Sequence, residues 1–159
     1  MAEKATIVVF SGDLDKVLAA FVIATGCAAQ GMEVTMFYTF WGLNVVKKDK
    51  GPIAGAKNWM QKMMGMMNRG GISRLPLSKF NMAGMGRSMM KKLMKKTNVA
   101  SLSEMLAMAR DLDVKMWACK MSMDVMGVAK EDLIPEVDKI VGVAAYAAEA
   151  QQSKINLFI

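Results

Sequence analysis

The sequence predicts an α/β domain whose central sheet has five parallel strands, each reached through a helix. Apolar, β-branched runs recur along the chain, amphipathic helical stretches separate them, and the first forty residues follow a strand–helix–strand order. With 159 residues, of which 53% are hydrophobic and 22% charged, the chain has enough apolar material for one sizeable core. We therefore expect a single domain over residues 1–159.

The N-terminal part of the chain is predicted to form a strand, a helix and a second strand. Ala5–Phe10 is a continuous apolar run, which is typical of a strand buried on both faces. A helix with apolar residues at helical spacing follows from Leu14 and ends at Gly31. Glu33–Phe40 is the second strand. The turn between the first strand and the helix consists of Ser11, Gly12 and Asp13, whose first and last residues can cap the helix.

An insertion of different chemistry follows over approximately residues 47–98. The stretch 47–96 holds ten of the 19 methionines, thirteen of the 21 basic residues and a single acidic residue, Asp49, which gives it a net charge of +12. After a turn predicted at Gly51-Pro52, two basic amphipathic helices are expected at about 56–67 and 85–96. Gly70-Gly71 separates them.

The α/β pattern then resumes. Ser101 and Glu104 match a capping box at the start of the next helix. The remaining predicted elements are a strand at Asp113–Ala118, a short helix at Ser122–Met126, a strand at Lys139–Val141, a helix at Val143–Gln151 and a last strand at Ile155–Ile159.

A candidate site is expected beyond the carboxyl ends of these strands, where open parallel sheets place their ligands. Three turns meet there: Ser11–Asp13, the stretch that includes Trp41, and Cys119-Lys120 with the nearby Ser122. Because the basic insertion starts after the second turn, we expect it to fold over the site as a lid.

Cys119 is the candidate nucleophile. The chain has no histidine, which excludes imidazole-dependent nucleophiles and imidazole metal sites. A cysteine between a strand end and a short helix, beside Lys120, lies near backbone N–H groups and positive charge, and both favour the thiolate. We expect its sulfur to be exposed. The alternative is that Cys119 is a small buried apolar residue.

Cofactor and metal sites are not expected. Cys27 lies among small residues of the first helix and is interpreted as structural, and the two cysteines form no CxxC motif. GxGxxG and Walker-type motifs are missing, so a nucleotide or anion site at Ser11–Asp13 is a minor alternative.

The basic insertion has three interpretations: cover for the sheet or a subunit interface, a partner surface, or a peripheral membrane contact. Nucleic acid is not expected, because Trp59 and Phe80 are too few aromatic residues for a stacking platform. We expect a cytoplasmic protein, because no secretion signal is visible and the longest apolar run, Val17–Ala29, is shorter than the roughly 18 residues of a spanning helix.

Three segments carry a family resemblance: FSGDLDKVLAAFVIATGCAAQGMEVTMFYTFWGLN, WACKMSMDVMG and EDLIPEVDKIVGVAAYAAEAQQSKINLFI. They resemble the DsrE/DsrF/DsrH-like family over essentially the whole chain, and most of all its branch with a Met-rich insertion after the second strand. The resemblance implies a flavodoxin-like fold with helices on both faces. It also implies homo- or hetero-oligomers and, in several members, sulfane sulfur carried as a cysteine persulfide. The family's cysteine position matches Cys119, and its site turn matches Ser11–Asp13.

The resemblance and the residues together predict a cysteine-based sulfur carrier or sulfurtransferase-like protein. Cys119 would accept sulfane sulfur and pass it to a partner thiol, with sulfur donor and acceptor proteins as partners and a homo-oligomer as the assembly. The alternative is a non-catalytic oligomeric binding protein, which docks through its basic Met-rich helices on a redox or membrane-associated complex. Whether the protein turns over or carries sulfur stoichiometrically is left open.

Overall fold

A computed structural model describes residues 1–49 and 54–159 of the chain. The turn predicted at Gly51-Pro52 lies outside the described residues. The prediction of five parallel strands is confirmed, and their order in the sheet is β4-β3-β2-β1-β5. The strands are β1 (Lys4–Val9), β2 (Glu33–Tyr38), β3 (Lys115–Cys119), β4 (Lys139–Val141) and β5 (Ile155–Phe158).

Helices connect the strands and lie on both faces of the sheet, as in flavodoxin-like folds. They are α1 (Leu14–Ala29), α2 (Leu43–Val46), α3 (Trp59–Met67), α4 (Met85–Lys96), α5 (Leu102–Asp111), α6 (Lys120–Met126) and α7 (Val143–Gln151). Short 3-10 turns occupy Phe40–Gly42, Ile72–Arg74, Met82–Gly84 and Lys130–Asp132. The predicted capping box is present at the start of α5, where Ser101 and Glu104 bond to each other's backbone amides.

The main core lies on the sheet face covered by α1 and α5. Alternate residues of the central strands point into it, among them Ile7, Met36 and Met116, and α1 adds Phe21. These side chains are almost completely buried. The periodic apolar face of α1 therefore packs into the main core, as its helical spacing predicts.

The second sheet face has a thinner cover. A smaller cluster of Val8, Phe37, Trp117 and Cys119 lies there, and Tyr146 of α7 packs against it. The Tyr146 and Phe37 rings stack with centroids 4.7 Å apart. All nine residues of α7 are at least partly exposed. An alanine-rich helix thus covers this face with one stacked aromatic ring, and its Glu149 pairs with Lys4 of β1.

Several predicted boundaries are wrong at the edge that carries the candidate site. β1 ends at Val9 and not at Phe10, and β5 ends at Phe158 and not at Ile159. β2 ends at Tyr38 and not at Phe40, because Phe40 adopts a left-handed backbone conformation (φ 47°) that begins a 3-10 turn. β3 extends to Cys119, and α6 begins directly at Lys120 and not at Ser122. The strand and the helix therefore meet without an intervening loop.

The two helices predicted in the insertion are present as α3 and α4. Asn58 caps α3 by accepting a hydrogen bond from the amide of Gln61 at 2.8 Å, and α3 ends before the Gly70-Gly71 pair. Over residues 1–49 and 54–159, every helix is too short or too polar to cross a bilayer.

Candidate functional site

Cys119 is the last residue of β3 and the N-cap residue of α6. Strand alternation gives it the same face as Trp117, so its sulfur lies in the small cluster on the second sheet face. The residue is only 3% exposed. The expected exposure of Cys119 is therefore wrong, because the face that β3 assigns to it is covered by aromatic side chains.

The surroundings of the sulfur are nevertheless polar on one side. The hydroxyls of Thr39 and Ser122 and the amides of Met121 and Ser122 lie around it and can donate hydrogen bonds to a thiolate. Burial raises the pKa of the Cys119 thiol, but these hydrogen bonds outweigh that effect and hold the pKa below its ordinary value. The arrangement stabilises a thiolate inside the protein.

Thr39 and Ser122 come from different elements. Tyr38 pairs with Ala118 in the parallel register, so Thr39 follows β2 at the level of Cys119. Ser122 lies in the first turn of α6 and is fully buried. Their hydroxyl oxygens are 2.7 Å apart. The sulfur, the strand end and the helix start are thus joined by one hydrogen-bond network.

Lys120 does not take part in this network. Its ammonium pairs with the carboxylate of Asp124 one turn further along α6, and both side chains are exposed. The sulfur is therefore surrounded by hydroxyl and amide donors, whereas the expected cationic neighbour lies on the outer side of the helix.

The turn Ser11–Asp13 lies further away. β2 separates β1 from β3, so a strand spacing of about 4.8 Å puts the ends of β1 and β3 roughly 10 Å apart. Ser11 is buried and its hydroxyl donates to the Asp13 carboxylate at 3.1 Å, while Asp13 pairs with Lys16 at 3.1 Å. A carboxylate in this turn disfavours phosphate, so the geometry does not support an anion site here.

Gly12 and Trp41 connect this turn to the next one. A Cβ on Gly12 would lie 2.7 Å from the carbonyl oxygen of Trp41, so the close approach of the two turns requires glycine. The Trp41 side chain is partly exposed. The sequence therefore brings the first two predicted turns into contact, and Thr39 joins the second to the turn that carries Cys119.

The insertion borders the site but does not enclose the sulfur. The side chain of Gln61 in α3 donates to the carbonyl oxygens of Asp124 and Val125 at 3.0 and 3.3 Å, near the end of α6. The carbonyl of Pro76 accepts from the amide of Leu14 at 2.7 Å. Among the described residues, no side chain of the insertion belongs to the cluster around Cys119.

Two residues near the sulfur were missed by sequence reasoning. Thr39 was assigned to the interior of a strand, although its polar side chain at a carboxyl strand end was a usable signal. Trp117 has a buried indole N–H that, within the described part of the chain, has no hydrogen-bond partner. Lys139 lies over its ring, 5.5 Å from the centroid. Cys27 is half-buried in α1 and packs against the main core, as its structural interpretation predicts.

Comparisons with known sequences identify relatives along the whole chain. A sequence model of the DsrE/DsrF/DrsH-like family matches residues 1–158. The uncharacterized protein YrkE of Bacillus subtilis is 46% identical over 157 residues, which cover 99% of this chain and 97% of that protein. The sulfur carrier protein DsrE2 of Allochromatium vinosum is 35% identical over 161 residues, which cover 99% and 98% of the two chains.

Solved structures share the fold at low identity. The crystal structure of the YchN protein from E. coli superposes with a TM-score of 0.60 at 12% identity and covers all of both chains. The protein of unknown function MTH1491 from Methanobacterium thermoautotrophicum has a TM-score of 0.56 at 13% identity and covers 99% of both.

Proposed function

Since the chain belongs to the DsrE/DsrF/DrsH-like family, we propose that it is a cysteine-based sulfur carrier that holds sulfane sulfur as a persulfide on Cys119. The observation that supports this most is the position of the buried Cys119 at the start of α6, beside the Thr39 and Ser122 hydroxyls that are 2.7 Å apart. Burial raises the pKa of the thiol, but hydrogen bonding to the thiolate outweighs that effect and lowers the pKa. The 35% identical relative named as a sulfur carrier points in the same direction.

The transfer needs only a thiolate and a good leaving group. The Cys119 thiolate attacks the outer sulfur of a donor persulfide, R–S–SH. The donor's sulfur–sulfur bond breaks, R–S⁻ leaves, and Cys119–S–SH forms with the proton retained on the outer sulfur. An acceptor thiolate then attacks the outer sulfur and releases the Cys119 thiolate. Neither step needs an external oxidant or reductant, and neither requires a histidine.

The hydrogen-bond network has two roles in this scheme. Before the first step, the Thr39 and Ser122 hydroxyls favour the thiolate over the thiol, so they increase the fraction of Cys119 that can act as a nucleophile. In the second step, the same donors stabilise Cys119 as the leaving thiolate. Lys120, which pairs with Asp124, has no direct part in either step.

Burial of the sulfur requires that its cover move for a donor or acceptor protein to reach it. α7 is a thin part of that cover, because none of its residues is fully buried and it is joined to the sheet by the Tyr146–Phe37 stack and the Lys4–Glu149 ion pair. We assign the donor and acceptor as partner proteins that bind at this edge of the sheet. The exposed Val143 on α7 and the exposed Phe158 on β5 favour a homo-oligomer that uses the second sheet face.

Loading with polysulfide tests the proposal. We expect intact and peptide mass spectrometry to find one added sulfur atom on Cys119 in the wild type and in C27S. The adduct should be removed by reductant and should be missing from C119S. An adduct confined to Cys27, or none at all on a folded protein, would contradict the proposal.

A second candidate function is docking through the insertion onto a redox or membrane-associated complex. Large exposed apolar side chains on and around α3 and α4 favour it: Trp59, Met60, Met63, Met66, Met67, Phe80, Met82, Met85, Met89 and Leu93. Among the described basic residues from Lys47 to Lys96, none forms a salt bridge, so the surface keeps its positive charge.

This alternative makes a separate prediction. Binding to the complex or to anionic vesicles should persist in C119S. It should be lost when Lys91, Lys92, Lys95 and Lys96 are changed to glutamate. Sensitivity to C119S, with no effect of the lysine changes, would exclude docking as the principal function.

A further inference from the structure

A cavity of about 830 Å³ lies apart from the thiol, beside the start of the insertion. Residues 47–49, helix α3 with the turn that follows it, and the turn Lys130–Asp132 contribute to its walls. Among the described residues, five basic ones line it: Lys47, Lys48, Lys62, Arg69 and Arg74. Three described acidic residues also line it: Asp49, Glu131 and Asp132.

The acidic residues do not neutralise these cations through direct contact. Within residues 1–49 and 54–159, none of the five basic side chains forms a salt bridge. The Asp132 carboxylate instead accepts hydrogen bonds from the amides of Ala54 and Ala129, both at 2.8 Å. Asp49 accepts from the hydroxyl of Ser73 at 2.8 Å. The described lining of the cavity therefore has more basic than acidic residues, and these basic side chains form no salt bridge with a described residue.

Lys47 is the most constrained of the five. The residue is only 5% exposed, and its ammonium donates to the carbonyl oxygen of Asn68 at 3.0 Å. An ammonium has three N–H donors, so one carbonyl acceptor leaves capacity for further acceptors. Burial lowers the pKa of Lys47, and the charge of Asp132 opposes this. An anionic group in the cavity would supply the missing acceptors and counter-charge.

The turn after α3 is shaped around the Lys47 side chain. A Cβ on Gly70 would lie 2.5 Å from Cε and 2.6 Å from Cβ of Lys47, so only glycine allows this approach. The side-chain amide Nδ2 of Asn44 donates to the side-chain oxygen of Asn68 at 2.8 Å and fixes the turn from the other side. The buried ammonium is thus held in one position by the fold.

The cavity and the thiol are separate sites. Cys119 precedes α6, and Gly127, which packs against Ala56 of the cavity wall, follows it. A rise of about 1.5 Å per residue over this helix puts its two ends roughly 10 Å apart. Thr39, Ser122 and Cys119 do not line the cavity.

We propose that this cavity binds an organic molecule carrying two or three linked phosphate groups, such as a nucleoside diphosphate. The cations stand on more than one wall, so they match a ligand with several charged groups. Arginine forks and lysine ammonium groups are the usual partners of phosphate oxygens. The volume is within the range of small-molecule sites, whereas a single oxyanion would fill only a fraction of it. The proposal does not depend on the sulfur chemistry of Cys119.

Calorimetric titration of the full chain with ADP and with pyrophosphate tests this, at constant ionic strength set with sodium chloride. We expect both probes to bind saturably and to compete with each other. Orthophosphate and thiosulfate should bind roughly tenfold more weakly or not at all. Saturable binding of thiosulfate alone would overturn the assignment to linked phosphates, and no binding of ADP or pyrophosphate would overturn the site.

Substitutions of single basic residues test where the ligand binds. Because Arg69 is exposed and its loss is compatible with folding, R69Q is the principal variant, and it should weaken ADP binding roughly tenfold. K96Q removes an exposed cation of α4 outside the cavity and is the matched control, which should bind like the wild type. Equal weakening in R69Q and K96Q, or none in R69Q, would contradict the proposed location. C119S should leave ADP binding unchanged.

Discussion

The hydroxyl oxygens of Thr39 and Ser122 lie 2.7 Å apart, and each is also positioned to contact the Cys119 sulfur. The three contacts are those between Thr39 and Ser122, between Thr39 and the sulfur, and between Ser122 and the sulfur. The two hydroxyls carry only two protons that can be donated in them. Beside a thiolate, one hydroxyl can donate to the other while the second donates to sulfur. When the sulfur is protonated, its S–H can take over one contact. The pair can therefore adapt to either state of Cys119 while the fold stays the same.

Loss of one hydroxyl should make Cys119 less reactive. A hydrogen bond to a charged group contributes about 1.5–3 kcal/mol, so S122A and T39V should each lower the thiolate fraction by roughly an order of magnitude near neutral pH. The alkylation rate of Cys119 by iodoacetamide should fall accordingly, and its midpoint should move to higher pH. T39S keeps the hydroxyl and is the control. Wild-type kinetics in both S122A and T39V would contradict the role assigned to the pair.

Removal of the aromatic cover should expose the thiol. Y146A removes the ring that stacks on Phe37, and we expect faster alkylation of Cys119 together with a loss of about 2 kcal/mol in the free energy of unfolding. Y146F keeps the stack and should react like the wild type. Cys27, which lies on the other side of the sheet, is the internal control for general unfolding. Equal acceleration at both cysteines would mean that the variant merely unfolds.

The stability of the protein should depend on pH through Cys119. Its pKa is lower in the folded protein than in the unfolded chain, so the thiolate adds stability that is fully present above the ordinary thiol value of about 8.5. This contribution is lost as the pH falls through the folded pKa. Urea unfolding under reductant should find that the difference between wild type and C119S grows with pH. A difference that does not change with pH would contradict the lowered pKa.

The second sheet face should hold the oligomer together. Val143 is 71% exposed on α7, where the cover of the sheet is thin. Native mass spectrometry should therefore find an oligomer for the wild type and smaller species for V143E. K96E introduces the same charge on α4 and should leave the assembly intact. Dissociation by K96E alone would place the interface elsewhere. A monomeric wild type would contradict the oligomer.

Much of the fold could be predicted because its signals are local. β1 is apolar on both faces, α1 has an apolar stripe at helical spacing, and Ser101 and Glu104 form a capping box. The strand ends were predicted less well. The left-handed conformation of Phe40 depends on the packing of the neighbouring turn, which periodicity does not report.

The candidate site could be predicted in part. The sequence placed Cys119 at the junction of a strand and a helix, and the structure has it there. Its burial depends on Phe37 and Tyr146, which are distant in sequence, and its partner Thr39 is brought beside it by the parallel register of β2 and β3. The order of the strands in the sheet places these residues beside Cys119, and local sequence patterns do not determine that order.

The most direct test is to follow the transfer of sulfur from persulfidated Cys119 to an acceptor thiol. Wild-type protein loaded with isotopically heavy sulfur from polysulfide would be freed of excess reagent, mixed with an acceptor thiol such as glutathione, and followed by mass spectrometry. The heavy sulfur should leave Cys119 as glutathione persulfide appears, more slowly in S122A than in the wild type. Heavy sulfur that never loads on Cys119, or that loads and cannot be passed to any thiol, would contradict the proposed sulfur carriage.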